Sequence, residues 1–491
     1  MASATFPRRS SYLGGSWLPE SGPTDTRVNP ADSRDVLGPV FCAEPAHAGQ
    51  AVAAAATAAA TWGGRSTVLR PQVLMRAAGL IRERAGEIAA ELTREVGKTA
   101  AEAQAEVLGG ATVLETIGSA APWCGGGRIT DRYREGTMGF TRRQPLGVVG
   151  LITPWNFPFS NPCVKIAAAL TAGNAVVWKP SPVAPMTAIA LTACLVDAGL
   201  PPGVLNTLIG GDAGVGQALV RDRQVAAVSF TGSTEVGQRL AAVLAGRGAR
   251  AQVELGGKNA IVVLDDADVE AAARAAAAGA FAFAGQKCTS VSRVVVLPGV
   301  RDSFRDALVE ETARLRVGVP TDPGSDIGPV ISQVALGRHL SAVDAARSRG
   351  ARSLTGGVRL TEGLPEGAYL SPAVLDRASA TDPIAQDELF GPVLVLLDAA
   401  DHDEAVRIAN GTKYGLAASV YTADLGSAFA FVERLEAGIV KVNEPTPGLE
   451  PHMPAGGWKA SGYGPPELGP SALDFFTREK SVYLNPSGAP A

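Results

Sequence analysis

Apolar side chains at Leu69, Val73, Leu80, Ile81, Ile88, Leu92 and Val96 recur at helical spacing with Arg and Glu between them, and Gly97 stands where a helix would end. The pattern predicts one long amphipathic helix. From Gly147 the period changes: short β-rich runs at 147–152, 175–179, 204–209 and 227–231 alternate with Ala-rich helical stretches. Strand and helix taking turns predict a parallel sheet with helical crossovers. A second alternating series follows residue 254, with apolar runs at 261–264, 293–297, 393–397, 418–421 and 439–443. The expected fold class is therefore α/β, with a second α/β unit beginning near Glu254. The β-prone, charged stretch 123–143 suits a hairpin that leaves its domain, and 475–484 has the same character. Two such segments are expected to pair as a subunit interface.

At 491 residues the chain exceeds the size at which a single core stops growing, so substructures with a cleft between them are expected. A net charge of -4 with scattered Lys and Arg gives no basic footprint, which argues against nucleic acid and for a small substrate. The five cysteines, Cys42, Cys124, Cys163, Cys194 and Cys288, are far apart and form no C-x-x-C pair. Neither a disulfide framework nor a structural zinc site follows, and a reducing cytoplasm fits. None of the four histidines has metal-ligand spacing. The first residues carry no apolar core of signal-peptide length and no stretch reads as a membrane span, so neither export nor a membrane partner is expected.

Candidate chemistry lies in short glycine-marked motifs. Cys288 sits in G-Q-K-C-T (285–289), after an Ala-rich segment that Gly285 and Gln286 interrupt. A lone cysteine is most often a core residue, but the polar loop around this one weakens that reading. A thiol of ordinary pKa is only about 3 % thiolate at pH 7, so an electropositive setting, from Lys287 or a helix terminus, would raise its reactivity. Glu254 opens E-L-G-G-K (254–258), whose glycines let backbone approach another segment closely. A carboxylate near a reactive sulfur suggests a base for the thiol or for a later water. Glu388 lies in D-E-L-F-G-P (387–392). Thr231-Gly232-Ser233 ends a strand and opens a helix, which suits a pyrophosphate as well as ordinary capping. No G-x-G-x-x-G occurs there, so a dinucleotide would be held in a variant manner. Asn156, fixed between Pro154 and Pro158, can be a turn residue or a donor to a developing oxyanion.

Taken in order, P-W-N-F-P (154–158), W-K-P-S (178–181), F-T-G-S (230–233), E-L-G-G-K, G-Q-K-C, D-E-L-F-G-P, N-x-x-x-Y-G-L (410–416) and G-G-W-K-A-S-G-Y-G (456–464) resemble the aldehyde dehydrogenase superfamily over nearly the whole chain. The resemblance implies a Rossmann-like cofactor domain (1–122 and 144–253), a catalytic domain (254–465) and a β oligomerisation segment (123–143 and 470–491) that builds homodimers or homotetramers. It implies that Cys288 attacks the aldehyde, with the Asn156 amide and the Cys288 N–H holding the oxyanion. Hydride then passes to NAD or NADP, and the thioester left behind is hydrolysed by water that Glu254 activates. Lys165 and Glu467 take positions that form a proton path or brace the site. On the cofactor side, Lys179 and Ser181 lie toward the adenosine ribose, Trp155 and Ser233 near the pyrophosphate, and Glu388 and Phe390 at the nicotinamide.

Two departures shape specificity. Many NAD-preferring relatives carry Glu three residues after the motif lysine, where this chain has Pro182, so NADP use is expected. The usual P-F-G-G reads Pro454-Ala455-Gly456-Gly457, which removes an aromatic wall from the substrate mouth. The run 442–454 and G-Q-K-C-T-S-V-S-R look most like the branch acting on α-ketoglutarate semialdehyde and related ω-carboxylated aldehydes. Succinate semialdehyde, simple aliphatic or aromatic aldehydes, and a non-redox cysteine esterase or acyltransferase are the alternatives.

Overall fold

The computed structural model describes residues 8–124, 126–132, 137–211 and 213–485. Its first sheet has eight strands among the described residues. Their spatial order is Ser16–Trp17, Tyr12–Leu13, Leu205–Thr207, Ala175–Lys179, Val148–Ile152, Val225–Thr231, Arg250–Glu254 and Gly462–Tyr463. The five central strands are parallel, and Ala175–Lys179 is buried along its whole length, as a strand must be when helices cover both faces. Chain order reverses beside Val148–Ile152. The next two strands extend the sheet to one side, and Val225–Thr231 and Arg250–Glu254 extend it to the other. Such a reversal leaves a crevice at the carboxyl ends of the strands.

The second sheet, of seven strands, runs Arg352–Thr355, Ala373–Asp376, Val393–Asp398, Val291–Val296, Asn259–Val263, Ala417–Tyr421 and Ile439–Val442, all parallel except the first. Glu254 is the last residue of a first-sheet strand, and Asn259 is the first residue of a second-sheet strand. The carboxyl edge of one sheet thus meets the amino edge of the other across the E-L-G-G-K link. Because Asn259 pairs with Val291, that link is drawn beside the loop that carries Cys288.

The expected single helix is two, Pro71–Glu83 and Ala85–Val96, broken where Arg84 leaves helical geometry (φ −101°, ψ 10°). One non-helical residue barely disturbs the 3.6 period, so the apolar stripe reads through the break. Leu69 falls outside because Pro71, with no N–H to give, takes the first turn. Gly97 closes the second helix in left-handed geometry (φ 76°).

The two outlying β segments pair with each other within one chain. Thr477–Leu484 runs antiparallel to Met138–Pro145, from Thr477 against Pro145 to Leu484 against Met138, and Ile129–Asp131 lies on the other side. Parts of these segments, 125, 133–136 and 486–491, lie outside the described residues.

Candidate active site

Helix Val269–Phe281 delivers the chain to the cysteine loop through a tight turn, Ala282–Gly285, in which Phe283 (φ 52°), Ala284 (φ 50°) and Gly285 (φ 67°) all take left-handed geometry. Two consecutive non-glycine residues in that region store strain, which folds tolerate mainly at functional loops. Neighbours hold the loop rigidly. Asn259 Nδ2 donates to the carbonyls of Cys288 and Ser290, both at 2.8 Å, and its Oδ1 accepts the Ala417 N–H at 3.0 Å. Thr446 Oγ1 donates to the Thr289 carbonyl at 2.7 Å. Asn156 Nδ2 donates to the Gln286 carbonyl at 3.0 Å, which brings the P-W-N-F-P turn against the same loop.

The Gly256–Gly257 pair is required by contact. A methyl group on Gly256 would collide with the Glu388 carboxylate, and one on Gly257 would come within 2.8 Å of the Cys288 carbonyl. Glu388 instead accepts the Gly257 N–H at 3.1 Å, and burial lifts its carboxyl to about 7. Glu254 accepts the N–H of Gly457 at 3.1 Å, so the P-A-G-G segment positions this carboxylate.

Cys288 and Glu254 face one cavity of about 410 Å³. Its other walls include Phe157, Ser160, Thr289, Ala455 and Glu467, and Ala455 leaves a methyl where the usual motif has a ring. Cys288 keeps some surface open to this space, yet burial pushes its thiol up to about 12, with the charges of Glu388, Glu254 and Glu467 adding to the rise and the Thr289 N–H opposing it. The electrostatic setting of this sulfur is therefore acidic rather than the electropositive one expected, with three carboxylates bearing on it. Such a thiol reacts only when a base takes its proton. Burial raises the Glu254 carboxyl well above its usual range, Glu467 raises it further, and Lys165 and the Gly457 N–H act in the other direction.

Lys165 and Glu467 form a buried ion pair. Lys165 also donates to Ser229 Oγ at 2.8 Å, and Ser229 donates to Gln252 Oε1 at 2.9 Å. Gln252 Nε2 in turn holds the carbonyls of Pro465 and Pro466 at 3.2 and 3.1 Å. This relay fixes the chain around Glu467 against the strands of the first sheet.

Of the remaining predicted residues, Lys179 ends a first-sheet strand, and Trp155, Ser181 and Ser233 follow shortly after the carboxyl ends of strands in that sheet. Lys179 ends its strand, buried, with Nζ 3.3 Å from the Gly210 carbonyl and 3.4 Å from that of Pro180. Ser181 Oγ accepts the Val183 N–H at 3.3 Å. Ser233 is the N-cap of the 13-residue helix Thr234–Gly246, but its exposed side chain makes no capping bond. The Trp155 and Phe390 rings meet edge to face at 5.5 Å, and Phe390 is held at φ 58°. A dinucleotide fits these features. Chain order reverses at these strand ends, the helix that follows Thr231 starts there with no side-chain cap on its first N–H groups, and Trp155 adjoins Asn156, which bonds the Cys288 loop.

Sequence reasoning missed Asn259, Gln252, Ser229 and Thr446. Asn259 adjoins the E-L-G-G-K motif, and that adjacency was the one local signal. The other three act through tertiary contacts that carry no motif.

Comparison with known proteins agrees with this geometry. Residues 17–482 match the Aldehyde dehydrogenase family. The chain belongs to that family. It is 39% identical over 477 residues to an alpha-ketoglutaric semialdehyde dehydrogenase of Bacillus subtilis, covering 97% of this chain and 98% of the relative. Among solved structures, it superimposes on an NAD-dependent aldehyde dehydrogenase from Sinorhizobium meliloti with a TM-score of 0.95 at 36% identity, covering 99% of this chain and 96% of the other. A betaine aldehyde dehydrogenase from Staphylococcus aureus in complex with NAD+ gives a TM-score of 0.93 at 31% identity, over 98% and 96% of the two chains. This aldehyde dehydrogenase has no group of His, Cys, Asp and Glu arranged to hold a metal, and no helix long and apolar enough to cross a membrane, among its described residues.

Proposed function

We propose that this aldehyde dehydrogenase oxidises an ω-carboxylated aldehyde, of which α-ketoglutarate semialdehyde is the leading candidate, to its acid through a thioester on Cys288. One observation carries the reading: the only cysteine that lines the cavity shared with Glu254 is Cys288, on a loop pinned by Asn156 and Asn259. Cys288 Sγ bonds to the aldehyde carbon as its proton leaves for Glu254. The Asn156 amide and the Cys288 N–H steady the resulting oxyanion. A nicotinamide cofactor supplies the hydride acceptor. Glu254 then takes a proton from water as that water attacks the thioester, and the acid departs as the Cys288 thiol re-forms. Lys165 and Glu467 hold or carry the proton that Glu254 collects.

For the cofactor, Lys179, Ser181, Trp155 and Ser233 contact the ribose and phosphates, and Glu388 and Phe390 the nicotinamide end. NADP is accepted alongside NAD, because Pro182 brings no carboxylate to the ribose. A Cβ on Gly211 would lie 3.9 Å from Pro182 Cβ, 3.8 Å from Arg27 Nη2 and 3.0 Å from Asp25 Oδ2, so the group beside Pro182 is an Arg27–Asp25 ion pair. The enzyme works as a cytoplasmic homodimer or homotetramer joined through its three-stranded sheet. Initial rates with carboxylated and uncharged aldehydes, each with NAD+ and NADP+, test the reading. Aldehyde-dependent formation of reduced nicotinamide is expected with both cofactors. Ester turnover without any such signal would contradict it.

A further inference from the structure

The residue before the nucleophile is unexplained by the chemistry above. Lys287 lines the same cavity as Cys288 and Glu254, and among the described residues it is the only cationic side chain on its wall. Its ammonium has neither a hydrogen bond nor an ion pair among the described residues, and the side chain is half-buried on the cavity wall. An ammonium with three N–H donors uncommitted to protein is available to an anion that enters the cavity.

The two ends of the cavity differ in charge. The groups that bear on the Cys288 thiol are Glu388, Glu254 and Glu467, whereas those that bear on Lys287 are Glu102, Lys98 and Glu106. These groups stand on two walls: Phe157 and Ser160 line one, backed by the Lys98–Glu106 pair, and Glu254 and Glu467 line the other beside Ala455 and Gly456. Nor are the acids near Lys287 waiting for it. Glu102 accepts the Phe283 N–H at 2.7 Å on one oxygen, and the Thr99 N–H and hydroxyl at 3.1 and 3.2 Å on the other. Glu106 is ion-paired with Lys98 and accepts the N–H groups of Phe159 and Ser160 at 2.9 and 3.1 Å. With its N–H held by Glu106, Ser160 presents a cavity-lining hydroxyl at the Lys287 end.

We propose that Lys287, assisted by the Ser160 hydroxyl, receives the carboxylate at the far end of the substrate, so that a short chain reaches back to place its aldehyde carbon at Cys288. The inference rests on the carboxylated-aldehyde reading given above. It also explains how that class is selected where the catalytic end is acidic: the carboxylate of a reversed substrate would meet Glu254 and Glu467. An ammonium at the far end and carboxylates at the near end together fix the binding direction.

The test compares 5-oxopentanoate with pentanal, the same chain without the charge, on the full-length wild type and on Lys287→Gln and Lys287→Arg. Wild type is expected to favour 5-oxopentanoate by roughly tenfold or more in kcat/KM. In Lys287→Gln that ratio falls by roughly tenfold, mainly through KM, and Lys287→Arg keeps an intermediate preference. Pentanoate, as a competitive inhibitor, weakens in parallel. A wild-type preference that survives Lys287→Gln overturns the role of Lys287 and leaves the substrate class standing. Equal wild-type rates on the two aldehydes overturn the substrate class itself. Should Lys287→Gln not fold, slowed iodoacetamide alkylation of wild-type Cys288 by pentanoate but not pentanamide, weakened in Lys287→Arg/Ser160→Ala, supports the subsite. Equal slowing by both compounds overturns it.

Discussion

Cys288 is a thiol whose surroundings oppose ionisation, since burial and three carboxylates press its pKa up to about 12. Its nucleophilicity must come from concerted removal of the proton, for which Glu254, on the wall of the same cavity, is the proposed base and the other carboxylates around the thiol are slower substitutes. Glu254 itself is raised well above the ordinary carboxylate range, which makes it a stronger base when ionised but costs it the ionised form as pH falls. The expected consequence is an acid limb in the kcat profile that begins above the pH at which a surface glutamate titrates. In Glu254→Gln, where acylation has only the slower substitute bases, rapid-quench or stopped-flow kinetics should show one slowed turnover of reduced cofactor followed by a stall. A steady-state rate equal to wild type would reject Glu254 as the base. At Asn156, the amide that reaches the cysteine loop is also the proposed oxyanion donor. Asn156→Ala should lower kcat by roughly 10²–10³-fold with a much smaller change in KM, measured by steady-state kinetics.

The strands and helices explain why these side chains meet. The α/β alternation was legible because buried parallel strands such as Asn259–Val263 are unbroken apolar runs, and all five of its residues are buried. The catalytic motifs were legible because each requires unusual residues in a row, such as the glycines that allow Glu388 against the E-L-G-G-K turn. Long-range register was not legible. The pairing of Asn259 with Val291, which sets Glu254 beside the Cys288 loop, joins elements that no local pattern links. For the same reason the electrostatics of Cys288 were misjudged: Lys287 is its neighbour in sequence, but Glu388, Glu254 and Glu467 are its neighbours in space. The short strands Tyr12–Leu13 and Ser16–Trp17 gave too few residues for a period to show. Asn259 tests the importance of the pairing. Asn259→Ala strips hydrogen bonds from three backbone groups around the loop, so it should cost about 2 kcal/mol or more of stability by chemical denaturation and slow acylation.

At the scale of the whole molecule, the three-stranded sheet is one of several exposed apolar features. Ile129 is 76% and Tyr483 71% exposed, with Met138 and Leu484 also open to solvent. The sheet has strand edges on both sides, Ile129–Asp131 and Thr477–Leu484. Such surface is the signature of a subunit contact. The double variant Ile129→Asp with Tyr483→Asp should shift the particle to a smaller assembly by light scattering while leaving the chain folded. An unchanged mass would move the interface elsewhere.

The central claim is that the substrate becomes a thioester on Cys288 that Glu254 clears. The most direct measurement is peptide-mapping mass spectrometry of Glu254→Gln after mixing with aldehyde and oxidised cofactor. The account predicts one acyl group, carried on Cys288 and on none of Cys42, Cys124, Cys163 or Cys194. Unmodified Cys288 in a sample that has produced reduced cofactor would contradict it.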